Sequence, residues 1–60
     1  MKVTFYEEDQ MEEFLRAVEE RNQNNEDLVM KTEGNTKNFY IGGIRVGYKH
    51  LDEEGFYLID

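Results

Sequence analysis

The chain has no cysteine, no serine and a single imidazole, His50. The absence of Cys removes disulfides and thiolate metal ligands at once. Of aliphatic hydroxyls only Thr4, Thr32 and Thr36 are present, and each fits a strand or a turn. A nucleophile, its base and an orienting group are therefore hard to assemble, and an enzyme is not expected. No apolar run approaches the 18 or so residues that span a bilayer. No basic region followed by an apolar run opens the sequence, so a soluble, cytoplasmic protein is expected. Bases are scarce too. Seven Lys and Arg face fourteen Asp and Glu, for a net charge of −7. A pI near 4.5 argues against direct contact with nucleic acid or anionic membranes, which ask for a basic footprint.

What is present fits one small folded domain over residues 1–60. Thirty-eight per cent of residues are hydrophobic and eight are aromatic. A chain of this length buries roughly 60% of its unfolded surface, so its core is thin. Without disulfides, such a domain relies on good packing or self-association.

The charge is segregated along the chain. Residues 1–27 hold nine acids and three bases, and residues 52–60 hold four acids and no base. Residues 28–51 hold one acid, Glu33, and four bases. A negative surface selects basic proteins or cations as partners.

Lys2 to Tyr6 alternates and is rich in β-formers, which predicts a first strand with Val3 and Phe5 on one face. The pattern from Glu7 to Asn25 predicts a helix. Phe14, Leu15 and Val18 fall within about 60° of Met11 on its wheel. Asp9 with Glu12 three residues on resembles a capping box. Arg16 sits within reach of Glu12 and Glu20 at i±4. The run Asn22 to Asn25 prefers caps and turns and stops the helix.

Four further strands are expected: Asp27–Glu33, Lys37–Ile41, Ile44–Lys49 and Phe56–Ile59. Gly42-Gly43 suits a type I′ turn, which needs positive φ at both central positions. In that register Ile41 faces Ile44 and Phe39 faces Val46. Gly47 marks a bulge or a close approach by another side chain. The expected fold is α+β: one amphipathic helix on a four- to five-stranded antiparallel sheet, in β-α-β-β-β-β order. The helix side of the sheet should carry Val3, Phe5, Phe39, Ile41, Ile44, Val46, Tyr48, Phe56 and Leu58. The far side should carry Tyr6, Val29, Tyr40, Arg45, Lys49, Tyr57 and Ile59.

No cofactor or metal is expected. Asp52-Glu53-Glu54-Gly55 lacks the alternating ligands of an EF-hand and reads as a solvated turn. His50 has no Cys or His partner and reads as a strand-end residue. Gly42 to Gly47 contains neither G-x-G-x-x-G nor a Walker lysine and does not open a helix.

Two surfaces stand out. Tyr6, Tyr40 and Tyr57 would leave the far side of the sheet partly apolar, a candidate homodimer face. Glu8, Asp9, Glu12, Glu13, Glu19 and Glu20 crowd the outer face of the helix. Like charges one turn apart, such as Glu8 and Glu12, cost a few tenths of a kcal/mol each. Solvation alone does not call for that much repulsion. With Asp52, Glu53 and Glu54, these acids form the candidate partner-binding set.

In size, charge and lack of cysteine the chain resembles the small acidic inhibitor proteins of bacteriophages that imitate DNA. The resemblance rests on Glu7-Glu8-Asp9, Glu12-Glu13, Glu19-Glu20, Glu26-Asp27 and Asp52-Glu53-Glu54. It is a likeness of type and implies no shared fold. It implies a non-enzymatic inhibitor or regulator whose carboxylates stand in for phosphates on a basic, DNA-binding protein. The alternative is a small structural or assembly subunit that pairs through its tyrosine face.

Overall fold

A computed structural model describes residues 2–60. Five strands form one antiparallel sheet: β1 (Val3–Tyr6), β2 (Leu28–Glu33), β3 (Thr36–Ile41), β4 (Ile44–His50) and β5 (Phe56–Ile59). Their spatial order is β1-β5-β4-β3-β2. One helix, α1 (Met11–Glu20), covers one face of this sheet, so the α+β architecture is as the periodicity predicts.

The helical segment is shorter than Glu7 to Asn25. A single 3-10 turn, Glu8–Gln10, precedes α1. The capping box is Glu7 with Gln10, and the Glu7 amide donates to Gln10 Oε1 at 3.0 Å. At the far end the Arg21 and Asn22 amides reach back only three residues, to Val18 and Glu19. Such bonds tighten and close a last turn. Asn22 then holds Glu26 at both ends, its Oδ1 accepting from the Glu26 amide and its Nδ2 donating to the Glu26 carbonyl. Asn25 turns the chain with φ of 54°, a region Asn tolerates better than most residues.

The β3–β4 hairpin forms as expected. Gly42 and Gly43 take φ of 58° and 79°, and Ile41 pairs with Ile44. The next expected pair does not form, because Phe39 lies opposite Gly47, not Val46. One extra residue on β4 makes a bulge, and this reverses the face of everything after it. Val46 stays in the core, but Tyr48 turns to the open face and Lys49 to the helix side, both contrary to strict alternation. Lys49 Nζ accordingly lies 5.3 Å from the centroid of the buried Phe56 ring.

The first strand is also inverted. Phe5 pairs with Tyr57, and Tyr6 with Phe56. Phe56 and Leu58 are buried under the helix, so their partners Tyr6 and Thr4 share that side. Val3 and Phe5 consequently lie on the open face, and Tyr6 leaves it. A four-residue strand with two plausible apolar sets has its face chosen by its neighbour's register.

The core is Phe14, Val18, Phe39, Ile41, Val46, Phe56 and Leu58, with Tyr6, Ala17 and Leu28 packed against it. Phe14 is its centre and is fully buried. Its ring stacks on Phe56 at 4.9 Å and meets Phe39 and Tyr6 edge-on at 5.5 and 5.9 Å. Gly47 makes room for it. A Cβ there would lie 3.1 Å from Phe14 Cζ and 2.7 Å from the Tyr57 carbonyl oxygen. Ile44, expected in the core, is 70% exposed at the hairpin end.

Candidate functional site

All nine acids of the partner-binding set are exposed. The fold brings some of them together that the sequence keeps apart. The β4–β5 turn folds back beside the 3-10 turn, so that Glu54 joins Glu7, Glu8 and Asp9 around one open groove of about 490 Å³ floored by Phe5. Glu12, Glu13, Glu19 and Glu20 continue from there along α1. At its end Glu19 shares a second open groove with Glu26 and Asp27. The acids thus form a ridge running from the β4–β5 turn along the helix to the β2 entry.

Not every acid of the turn joins the ridge. Glu53 faces the open sheet, where its Oε1 accepts from the Tyr57 hydroxyl at 3.0 Å. That bond to a carboxylate, first among the causes, raises the Tyr57 pKa above its ordinary 10.0. The Glu53 and Gly55 carbonyls accept from Lys49 Nζ, which pins the turn. Arg16 does not pair with Glu12 or Glu20. Among the described residues the ion pair formed is Arg21 with the distant Asp60, and Arg21 also donates to the Ala17 carbonyl. Among the described residues no group of three or more His, Asp or Glu could hold a metal ion.

The open face of the sheet carries a second feature. Arg45 lies over the Tyr48 ring at 4.5 Å, Tyr48 stacks on Tyr57 at 4.8 Å, and Tyr57 meets Phe5 at 5.1 Å. His50 abuts both tyrosines edge-on and its Nδ1 bonds with Thr36 Oγ1 at 3.2 Å. The rings therefore stack on one another across β4, β5 and β1. Tyr40 stands apart, beneath Lys31 at 5.6 Å. Tyr40 and Tyr57 lie on this face as expected, while Tyr6 lies on the other. Sequence reasoning placed Arg45 on this face but missed Tyr48 and Phe5 as members of the stack, because the bulge and the β1 register decide their side. Beside it Asn38 is buried, its Nδ2 donating to Glu33 Oε1 at 3.4 Å and its Oδ1 without a partner.

No helix among the described residues is long and apolar enough to cross a membrane. No family model, curated protein or solved structure matches this chain.

Proposed function

We propose that the chain is a non-enzymatic inhibitor or regulator that occupies a basic, DNA-binding protein through its acidic ridge. The observation that carries this reading is the convergence of Glu54 with Glu7, Glu8 and Asp9 at the head of the helix. Acids separated by more than forty residues in the sequence gather around one groove. Their cost is recovered when a cationic groove replaces water and counterions. Carboxylates repeated along a helix offer such a groove rows of negative charge like those of a phosphate backbone. Association of this kind is fast and salt-sensitive. The basic residues Lys31 and Arg45 sit on the other face of the molecule, so they do not neutralise the ridge.

The test is competition. A basic DNA-binding protein captured by the chain at low salt should release bound duplex DNA, and high salt should undo the capture. Neutralising Glu8, Asp9, Glu13 and Glu20 to their amides should abolish it while the circular dichroism stays native. Capture indifferent to both salt and these substitutions sinks the proposal.

A second reading, an assembly subunit pairing through the open sheet face, is favoured by one observation: no element among the described residues covers Phe5, Tyr40, Tyr48 and Tyr57. It predicts that Tyr40→Ala with Tyr57→Ala dissociates an assembly that the amide substitutions leave intact. Against it, the stacked rings already satisfy one another.

A further inference from the structure

Four open grooves on the surface are each lined by at least one carboxylate. A fifth, of about 370 Å³, is lined by none, in a chain with fourteen acids and seven bases. It lies between α1 and β2. Met11 and Leu15 of the helix stand on one side of it, and Leu28 and Met30 of the strand on the other. The buried Phe14, Phe39 and Phe56 make its floor. Met11, Leu15 and Met30 are 47%, 40% and 58% exposed, so these walls are wet. The charged residues that line it are Lys37 and Lys49.

Strand register gives this groove a direction. Along β2 and β3 on the helix side, Thr32 pairs with Lys37, then Met30 with Phe39, then Leu28 with Ile41. Lys49 lies directly opposite Lys37, at the same level. Both lysines therefore stand at one end, and apolar residues continue from them for about 13 Å, four residues of strand rise. Like charges so placed repel. Among the described residues neither lysine forms an ion pair. Lys49 Nζ donates to the Glu53 and Gly55 carbonyls, which holds it in place but leaves its charge uncompensated. A cationic end followed by an apolar length matches the polarity of an anionic amphiphile.

We propose that the groove binds a free medium-chain carboxylate. Its head sits at Lys37 and Lys49, and its tail lies over Phe39 between Leu15 and Met30. One anion relieves the repulsion between the two lysines and gains charge-assisted hydrogen bonds. The tail removes from water the apolar walls that the fold leaves wet. A largely apolar groove of this size with a few convergent polar groups is the common form of a small-molecule site. The groove shares no residue with the acidic ridge, so this binding does not depend on the ridge holding a basic protein.

Calorimetric titration of the full chain with decanoate, kept below its micelle concentration, tests the proposal. A single site should saturate. Decanol, with the same tail and no charge, should bind about fivefold more weakly or worse. Each methylene added from hexanoate to decanoate should tighten binding about threefold. The Met11 and Met30 methyl resonances should shift during the titration. Lys37→Met keeps the length and removes the charge, so it should erase the preference for decanoate over decanol. Met30→Glu, on an exposed edge-strand position, brings an acid into the groove and should abolish decanoate binding while circular dichroism stays native. Absence of saturable binding overturns the proposal. So does decanol binding as tightly as decanoate, affinity indifferent to both substitutions, or shifts confined to Tyr48 and Tyr57 on the open face.

Discussion

Gly47 leaves the space into which the Phe14 ring packs between helix and sheet. Removing the ring should be severe: Phe14→Ala costs about 3–5 kcal/mol where a core cannot collapse, enough to unfold most of so small a domain. Gly47→Ala acts the other way, by overfilling. With Tyr57 backbone on one side and the Phe14 ring on the other, a loss of about 1–3 kcal/mol is expected in chemical denaturation. Gly47 shows how residue-level legibility works. Its type announces a bulge or a close approach, and both occur at one position. Which ring would approach lay beyond the sequence, because the bulge that turns Gly47 toward the helix is itself a product of strand pairing.

Tyr57 supplies a pH test at the same scale. Its hydroxyl donates to Glu53, so the neutral phenol is favoured in the fold and the pKa is raised above 10.0. A group raised on folding contributes stability that is intact below its unfolded pKa and is lost as pH climbs through the folded one. Thermal melts should therefore lose a small increment of stability above about pH 10. Tyr57→Phe should remove that alkaline dependence, and ultraviolet titration should show that the phenol of raised pKa is gone.

At the scale of elements, the helix was legible in type and overlong in extent. Its apolar stripe is read from spacing alone, but its end depends on Asn22. The Asn22 side chain closes the loop to Glu26 with two bonds, which replace further helical turns. Asn22→Ala should cost about 1 kcal/mol and show up first as faster amide exchange between the end of α1 and β2. The strands were legible in position and number, and the β3–β4 turn in its glycine geometry. Faces were not. Strand β1 carries an aromatic ring in each of its alternating sets, and only pairing with Phe56 and Leu58 chooses Tyr6 for the core. Past the bulge, β4 presents Tyr48 outward and Lys49 inward. These two inversions explain why the aromatic stack on the open face was half seen, and why the groove rimmed by Lys37 and Lys49 was not seen at all.

At the scale of the whole molecule, segregated charge is the dominant property. The acids of the ridge repel one another, and the ion pair between Arg21 and Asp60 lies outside it. Screening weakens repulsion among exposed charges more than it weakens a packed core. Adding sodium chloride should therefore raise the melting temperature of the isolated chain, and neutralising Glu8 and Glu54 should shrink that gain. The candidate ridge was legible residue by residue, since acids are counted directly. Its continuity was not, because Glu54 reaches Glu8 and Asp9 only through the antiparallel pairing of β5 with β1.

The measurement that bears most directly on the proposed role is fluorescence anisotropy of labelled duplex DNA on a basic DNA-binding protein, titrated with this chain across a range of salt concentrations. The chain should displace the DNA, with an inhibition constant whose logarithm rises linearly with the logarithm of salt, and neutralising Glu8, Asp9, Glu13 and Glu20 should flatten that slope. DNA that stays bound at low salt, or displacement with a slope unchanged by those substitutions, would contradict a ridge acting in place of DNA.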